Sequence, residues 1–89
     1  MSFKTKDLSV LAYANGFTLW HYTSTDAAAT VDNSGYFNAA ADMLRVGDMI
    51  MANTATAASP AAGILLVATN SGGAVDVANL TQIGAGNTD

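Results

Sequence analysis

The sequence predicts a mainly β domain (small α+β), folded as a compact β-sandwich or barrel-like structure of four to five strands with one short helix. Three observations lead to this prediction. Short runs of aromatic and β-branched residues recur along the chain, turn sequences rich in Asn, Asp, Ser and Gly separate them, and one stretch alone has helical periodicity. The 89 residues contain no cysteine and form a small core, so we expect a single β-rich domain over residues 17–83.

The segment 17–23 is the strongest predicted strand, because it is aromatic and β-branched. Alternation places Phe17, Leu19 and His21 on one face and Thr18, Trp20 and Tyr22 on the other. Both faces carry bulky groups, so each needs cover from a second layer of the domain or from another subunit. Further strands are predicted at 49–52, 64–68 and 74–78. The continuous apolar run at 64–68 is expected to be covered on both faces.

One short helix is predicted over residues 37–46, turning sharply into the strand at 49–52. Apolar residues recur there at i, i+3, i+4 and i+7, namely Phe37, Ala40, Ala41 and Leu44. Asn38 is the predicted N-cap, and Gly47 suits the left-handed position that ends a helix.

The remaining segments are predicted as connections and termini. Residues 1–16 form an extended N-terminal arm, either a strand added to a neighbour's sheet or a tether. Residues 27–31 are a short strand or a loop, 70–73 a hairpin turn, and 84–89 a flexible tail. The apolar run after Lys4 and Lys6 is too short for a signal peptide or a membrane span, so we expect neither.

Charge excludes one class of function. The net charge is −4, and Arg45 is the one cation of residues 7–89 against seven aspartates. A body this acidic lacks the basic surface that nucleic-acid binding requires. We therefore expect no nucleic-acid partner.

Residue types that could carry chemistry are scarce. His21 is the single histidine, and no nucleophile or acid–base partner lies near it in sequence. Asp26 and Asp32 lie in turns without the spacing of a calcium loop, and the chain contains no glutamate. The Ser71-Gly72-Gly73 turn lacks the lysine of a phosphate-binding loop. We predict no enzyme activity, no catalytic residue, no metal site and no cofactor.

Binding residues are easier to nominate. Met49 and Met51 belong to a methionine cluster that suits either a subunit contact or core filling, and Met43 is its third member. Trp20 and Tyr22 have the amphipathic character of interface anchors. The predicted subunit interface therefore contains Trp20, Tyr22, Met49 and Met51.

Several motifs resemble a family of small virion proteins of tailed bacteriophages. They are Tyr-Ala-Asn-Gly-Phe-Thr-Leu-Trp-His-Tyr at 13–22, Gly-Tyr-Phe-Asn at 35–38, Met-Leu at 43–44 and Gly-Asp-Met-Ile at 47–50. The pattern spans most of residues 13–80 and also resembles modules of phage head-fibre proteins.

The resemblance implies a capsid decoration (cement) protein in the virion, on the outer surface of the head. There it would stabilise contacts between subunits of the major capsid protein, commonly as a homotrimer. A capsid-binding arm would then contain Lys4, Lys6, Leu8, Val10 and Leu11. The alternative is a head-fibre or receptor-binding module that recognises its ligand with loops 24–34 and 53–63.

Overall fold

The computed structural model describes residues 3–84, and over that range the chain is mainly β, as predicted. Six strands form one sheet that does not close into a barrel. The strands are β1 (Leu8–Ala14), β2 (Phe17–Thr23), β3 (Met49–Thr54), β4 (Ala61–Ser71), β5 (Ala74–Val77) and β6 (Thr81–Ile83). The one α-helix of residues 3–84, α1, spans Ala28–Val31, and 3₁₀ helices cover Thr5–Asp7 and Asn38–Ala40. The two strands beyond those expected in the domain are β1 and β6.

The strand order is β1-β2-β3-β4-β5, with β6 also paired to β4. β1 and β2 form an antiparallel hairpin around Asn15 and Gly16, whose φ angles of 55° and 85° are those of a tight hairpin turn. β2 runs parallel to β3, so residues 24–48 must cross over between them. β4 is long enough to pair with β5 at one end and β6 at the other.

The core lies between one face of the sheet and the crossover segment 24–48. Tyr22, Ile50 and Leu65 are the largest side chains that the sheet buries completely, and Phe37 enters from the crossover. The full set of buried apolar residues is Trp20, Tyr22, Val31, Phe37, Ala40, Leu44, Ile50, Ala52, Leu65, Val67, Val75 and Val77. Val75 and Val77 of β5 are thus both buried in this core.

The second face of the sheet has no covering layer within residues 3–84, so the sandwich or barrel expectation is wrong. The segment 64–68 shows this directly. Leu65 is completely buried, whereas its neighbour Leu66 keeps 46% of its surface exposed. The predicted two-sided cover of this strand is therefore not provided by residues 3–84.

The segment predicted as an arm lies in the sheet of its own chain. Leu8 pairs with Tyr22 at the base of the hairpin, and β1 forms one edge of the sheet. Phe3 stacks on Tyr22 with ring centroids 5.4 Å apart. The N-terminal segment is therefore an edge strand of the sheet, preceded by Phe3 that stacks on Tyr22, and it is not a detached arm. Of the predicted tail 84–89, only Gly84 lies within the described residues.

The predicted helix over 37–46 is wrong, because its backbone groups have other partners. The carbonyls of Ala41 and Leu44 accept hydrogen bonds from the Asn70 side chain, at 2.8 and 2.6 Å. The Arg45 N–H, which a longer helix would use, donates to the carboxylate of Asp48 at 3.0 Å. What remains is the single 3₁₀ turn at Asn38–Ala40.

Two further details of that stretch differ between sequence and structure. The side-chain oxygen of Asn38 accepts the Val75 N–H of β5, at 2.8 Å, and does not cap a helix. The helix of the crossover lies instead at Ala28–Val31, where a strand or loop was predicted. Gly47 has a φ of 96°, so its predicted left-handed conformation is confirmed.

Candidate interaction surface

The outward face of the central strands carries a continuous apolar surface. We define the open face as Leu19 of β2, Met49 and Met51 of β3, and Ile64 and Leu66 of β4. Paired residues of neighbouring strands lie on the same side of a sheet. Leu19, Met49 and Leu66 therefore form one row across three strands, and Met51 pairs with Ile64 in the next.

The side chains of this face are large and apolar, and three of them are well exposed. Met49 is 48% exposed, Met51 38% and Leu66 46%. Phe17 and Ile83, both more than half exposed, extend the surface at its ends. Contiguous apolar surface of this kind marks contact sites in soluble proteins.

The open face is also free of formal charge. The polar side chains beside it are His21 and Asn53, and the His21 imidazole Nε2 lies 2.8 Å from the amide oxygen of Asn53. Asp76 of β5, which pairs with Thr69 of β4, borders the face. A surface without charge has no means to attract a strongly charged partner, so its contacts must depend on apolar burial.

The hairpin of β1 and β2 is a second exposed surface. Val10, Leu11 and Tyr13 are all more than half exposed, and open space surrounds Gly16 at the turn. The strand register shifts between Val10 and Ala12, which makes Leu11 a β-bulge. Apolar side chains therefore line a hairpin whose outer half packs against little else.

The predicted capsid-binding residues all lie in or next to this hairpin. Lys4 and Lys6 are exposed ahead of β1, and the Lys6 ammonium lies 3.9 Å from the carboxylate of Asp7. Leu8 is half-buried and packs against the core, whereas Val10 and Leu11 are exposed. Four of the five predicted capsid-binding residues are therefore accessible, and Leu8 lies at the base of the hairpin.

The predicted subunit interface divides between the two faces. Met49 and Met51 are exposed on the open face, but Trp20 is 7% and Tyr22 1% exposed, inside the chain's own core. Neither aromatic ring is accessible to a partner, so Trp20 and Tyr22 are excluded from the candidate interaction surface. Bulky aromatic character indicated burial correctly but did not indicate which layer provides it.

Trp20 has a structural partner in Asp48. The indole N–H donates to the Asp48 carboxylate at 3.1 Å, and the backbone N–H groups of Thr18 and Arg45 donate to the same carboxylate at 3.0 Å. Asp48 is completely buried. Its three donors stabilise a carboxylate that would otherwise be costly to bury, and they join the crossover to β2.

A polar cluster lies at the other end of β2. The Tyr36 hydroxyl donates to Asp26 at 2.7 Å and lies 3.0 Å from the Tyr22 hydroxyl. Burial raises the pKa of the Tyr36 phenol far above its ordinary value, so the group stays protonated. A cleft of about 110 Å³ beside it is lined by Lys4, Asp7, Tyr22, Thr23, Ser24, Thr25, Asp26 and Thr56. The arrangement fixes loops and contains no activated nucleophile.

Neither a metal site nor a membrane helix is found in the described part of the chain. Residues 3–84 hold no group of three or more His, Asp or other ligand side chains placed to share an ion. Nor does that range contain a helix with the length and hydrophobicity to cross a bilayer.

The residues missed by sequence reasoning are Leu19, Ile64 and Leu66. Their common face follows from two pairings between strands: β2 with β3 places Leu19 beside Met49, and β3 with β4 places Leu66 beside Met49 and Ile64 beside Met51. The alternation of β2 was visible in the sequence, but the continuous apolar run of β4 hid which of its side chains face outward, and the register between strands was not visible at all.

No protein-family model, curated protein or solved structure matches the chain. The resemblance to phage virion proteins therefore stays a prediction.

Proposed function

We propose that this chain is a decoration protein of a tailed-phage head, bound to the outer surface and stabilising contacts between major capsid protein subunits. The observation that carries the proposal is the concentration of exposed apolar side chains on two surfaces, the open face and the β1–β2 hairpin. A protein that connects neighbours in a shell needs at least two contact surfaces. The resemblance in sequence supplies the phage setting and the expectation of a homotrimer.

The hairpin is the surface that would contact the capsid. Val10, Leu11 and Tyr13 offer apolar area on a strand at the edge of the sheet, where further backbone pairing is open. Lys4 and Lys6, two of the three cations, lie ahead of that strand and suit an acidic capsid surface. The acidic remainder of the chain suits the outside of the shell, away from the packaged DNA.

The mechanism would be mass action. A ligand that binds the assembled shell but not its free subunits stabilises the shell by an amount that grows with its concentration over Kd. Binding across two capsid subunits therefore opposes their separation without any chemical step.

A pair of valines tests the capsid contact. Val10 and Val46 are both 56% exposed, but only Val10 lies on the hairpin. Val10→Asp should weaken binding to heads of the encoding phage by at least ~10-fold, the effect of losing about 1.4 kcal/mol, and Val46→Asp should leave it unchanged. Quantitative mass spectrometry of purified, decorated heads measures both. Equal binding by the two variants would overturn the assignment of the hairpin.

The second candidate function is a head-fibre or receptor-binding module, and one observation favours it. The two loops that would recognise a receptor meet in space, since the Ala55 N–H donates to the Asp26 carbonyl at 2.8 Å and Thr56 to that of Ser24 at 3.3 Å. The polar cleft described above lies at their junction. Copy number per particle separates the two functions, because a decoration protein is spread over the shell and a fibre protein is present in few copies.

A further inference from the structure

We propose that Asn15 is a site of spontaneous deamidation, at which the Asn15–Gly16 turn converts to an aspartyl or isoaspartyl residue. The site lies at the tip of the β1–β2 hairpin, and the modification follows from the geometry of the turn alone. Its effect on capsid binding, given below, rests on the proposed function.

The nucleophile of this reaction is the backbone nitrogen of Gly16. The last pair of residues that β1 and β2 form is Ala14 with Phe17, so the Gly16 N–H lies outside the ladder of hydrogen bonds between the strands. This amide can therefore lose its proton to hydroxide or water without breaking the pairing of the hairpin.

Open space surrounds the turn. Asn15 and Gly16 are both exposed, and a Cβ built on Gly16 meets no atom within 4 Å apart from its chain neighbours. Glycine has no side chain to obstruct an approach to its own nitrogen, and it tolerates a wide range of backbone angles. The Gly16 nitrogen can therefore reach the side-chain carbonyl carbon of Asn15 when the turn fluctuates.

The reaction balances with water as its co-reactant. The Gly16 nitrogen gives up its proton and bonds to Cγ of Asn15, and the bond from Cγ to the side-chain amide nitrogen breaks. Ammonia leaves with that proton, and a succinimide ring remains. Water then opens the ring at either carbonyl, which gives an aspartyl residue or an isoaspartyl residue whose main chain runs through Cγ.

The other asparagines of the described residues lack this combination. Three of them hold their side-chain amides in hydrogen bonds, namely Asn38, Asn53 and Asn70. Asn33 and Asn79 are exposed, but serine and leucine follow them, and those side chains crowd the attacking nitrogen. Asn15 is the one asparagine of the sequence that glycine follows.

The product differs from the original hairpin in charge and in the length of its main chain. Residues 8–25 contain no Asp, Glu, Lys or Arg, so a carboxylate at position 15 is the first formal charge there. An isoaspartyl link also adds a carbon to a tight turn whose geometry sets the strand register. On the proposed function, a charge beside the exposed Tyr13 and Phe17 weakens the capsid contact as the protein ages.

Peptide mapping of the folded full chain tests the site. Incubation at mildly alkaline pH should raise the mass at Asn15 by about 1 Da, and isoaspartyl methyltransferase should label part of the product. The rate should exceed the rates at Asn33 and Asn79 at least ~10-fold, because the Gly16 nitrogen is unobstructed.

Asn15→Gln is the control, since its longer side chain closes the ring poorly, and it should lose the fast conversion. Circular dichroism checks that this variant folds. A rate at Asn15 no higher than the rates at Asn33 and Asn79 would overturn the proposal, as would fast conversion elsewhere in Asn15→Gln.

A second comparison tests the effect on binding. Asn15→Asp carries the charge of the product, and Asn79→Asp adds the same charge at an exposed position between β5 and β6. Asn15→Asp should bind heads of the encoding phage at least ~10-fold more weakly than Asn79→Asp does, as measured by mass spectrometry of decorated heads. Fast conversion of Asn15 with equal head binding would support the modification site and contradict its effect on the capsid. Normal head binding by Val10→Asp would count against the hairpin contact itself, so the two proposals fail separately.

Discussion

The two faces of the sheet differ in how much of their apolar surface is buried. On β4, Leu65 and Val67 are completely buried against the crossover, while Leu66 between them is 46% exposed. The alternation of a single strand therefore sends one side chain to the core and the next to solvent. The comparison teaches that stability resides in one face, and that the other is available for a partner.

Polar groups follow the same division. On the inner side, no buried side-chain nitrogen or oxygen of residues 3–84 lacks a hydrogen-bond partner. Asp48 and the Tyr36–Asp26 pair show how this is achieved, with every buried acceptor close to a donor. On the open face, Met49, Met51 and Leu66 instead keep much of their apolar surface exposed. The buried polar groups of the inner face are thus satisfied within the chain, whereas the open face leaves apolar side chains in contact with water.

Truncation of adjacent leucines should give the largest difference between the two faces. Leu65→Ala should lower the free energy of unfolding by about 2–5 kcal/mol, because it leaves a cavity against Ile50 and the crossover. Leu66→Ala should change it by no more than about 1 kcal/mol, since that side chain already contacts water. Urea unfolding of monomeric protein measures both, and equal losses would show that the open face is packed within the chain.

A second, smaller effect concerns the buried carboxylate. Asp48→Asn keeps the shape but loses one acceptor oxygen and presents an NH₂ group to donors, so we expect a loss of about 2–3 kcal/mol. Asp42→Asn removes the same charge from an exposed position of the same segment and should have little effect. Thermal unfolding compares the two. A similar stability of both variants would mean that Asp48 does not join the crossover to β2.

The sequence predicted which side chains of β2 share a face, but it assigned Trp20 and Tyr22 to a subunit interface and not to the core of the chain. The pattern of β2 separates Trp20 and Tyr22 from Leu19 and His21, and the structure buries the first pair within its own core. Period-two alternation is a local property, so it survives without knowledge of the fold. The turn at Asn15–Gly16 and the left-handed Gly47 were likewise set by local backbone preference.

The predictions that failed depend on contacts between residues that are distant in sequence. The helix at 37–46 has the correct periodicity, but Asn70 and Asp48 take its backbone groups. The open face likewise required the β2–β3 pairing, which joins residues 30 positions apart, such as Leu19 and Met49. Local patterns carry no information on such pairings, and the contact surface emerges only when they are known.

The smallest expected effect concerns the edge of the open face. It tests whether the Phe17 ring is held in place there or is free to move. Gly47 has a φ of 96°, and a Cβ placed there would lie 2.7 Å from the Phe17 ring. Gly72 also has a positive φ, at 61°, but open space around it. Gly47→Ala and Gly72→Ala should each lose roughly 1–2 kcal/mol to the left-handed backbone, as measured by urea unfolding.

Only Gly47→Ala must also displace the ring of Phe17, which borders a shallow groove of about 170 Å³ beside Leu19 and Met49. If that margin is fixed, Gly47→Ala should weaken self-association several-fold more than Gly72→Ala does at equal stability. Equal self-association would mean that Phe17 moves freely and that the contact depends on the central row of Leu19, Met49 and Leu66. Either result therefore shows whether Phe17 belongs to the rigid part of the structure or to the surface that can adjust to a partner.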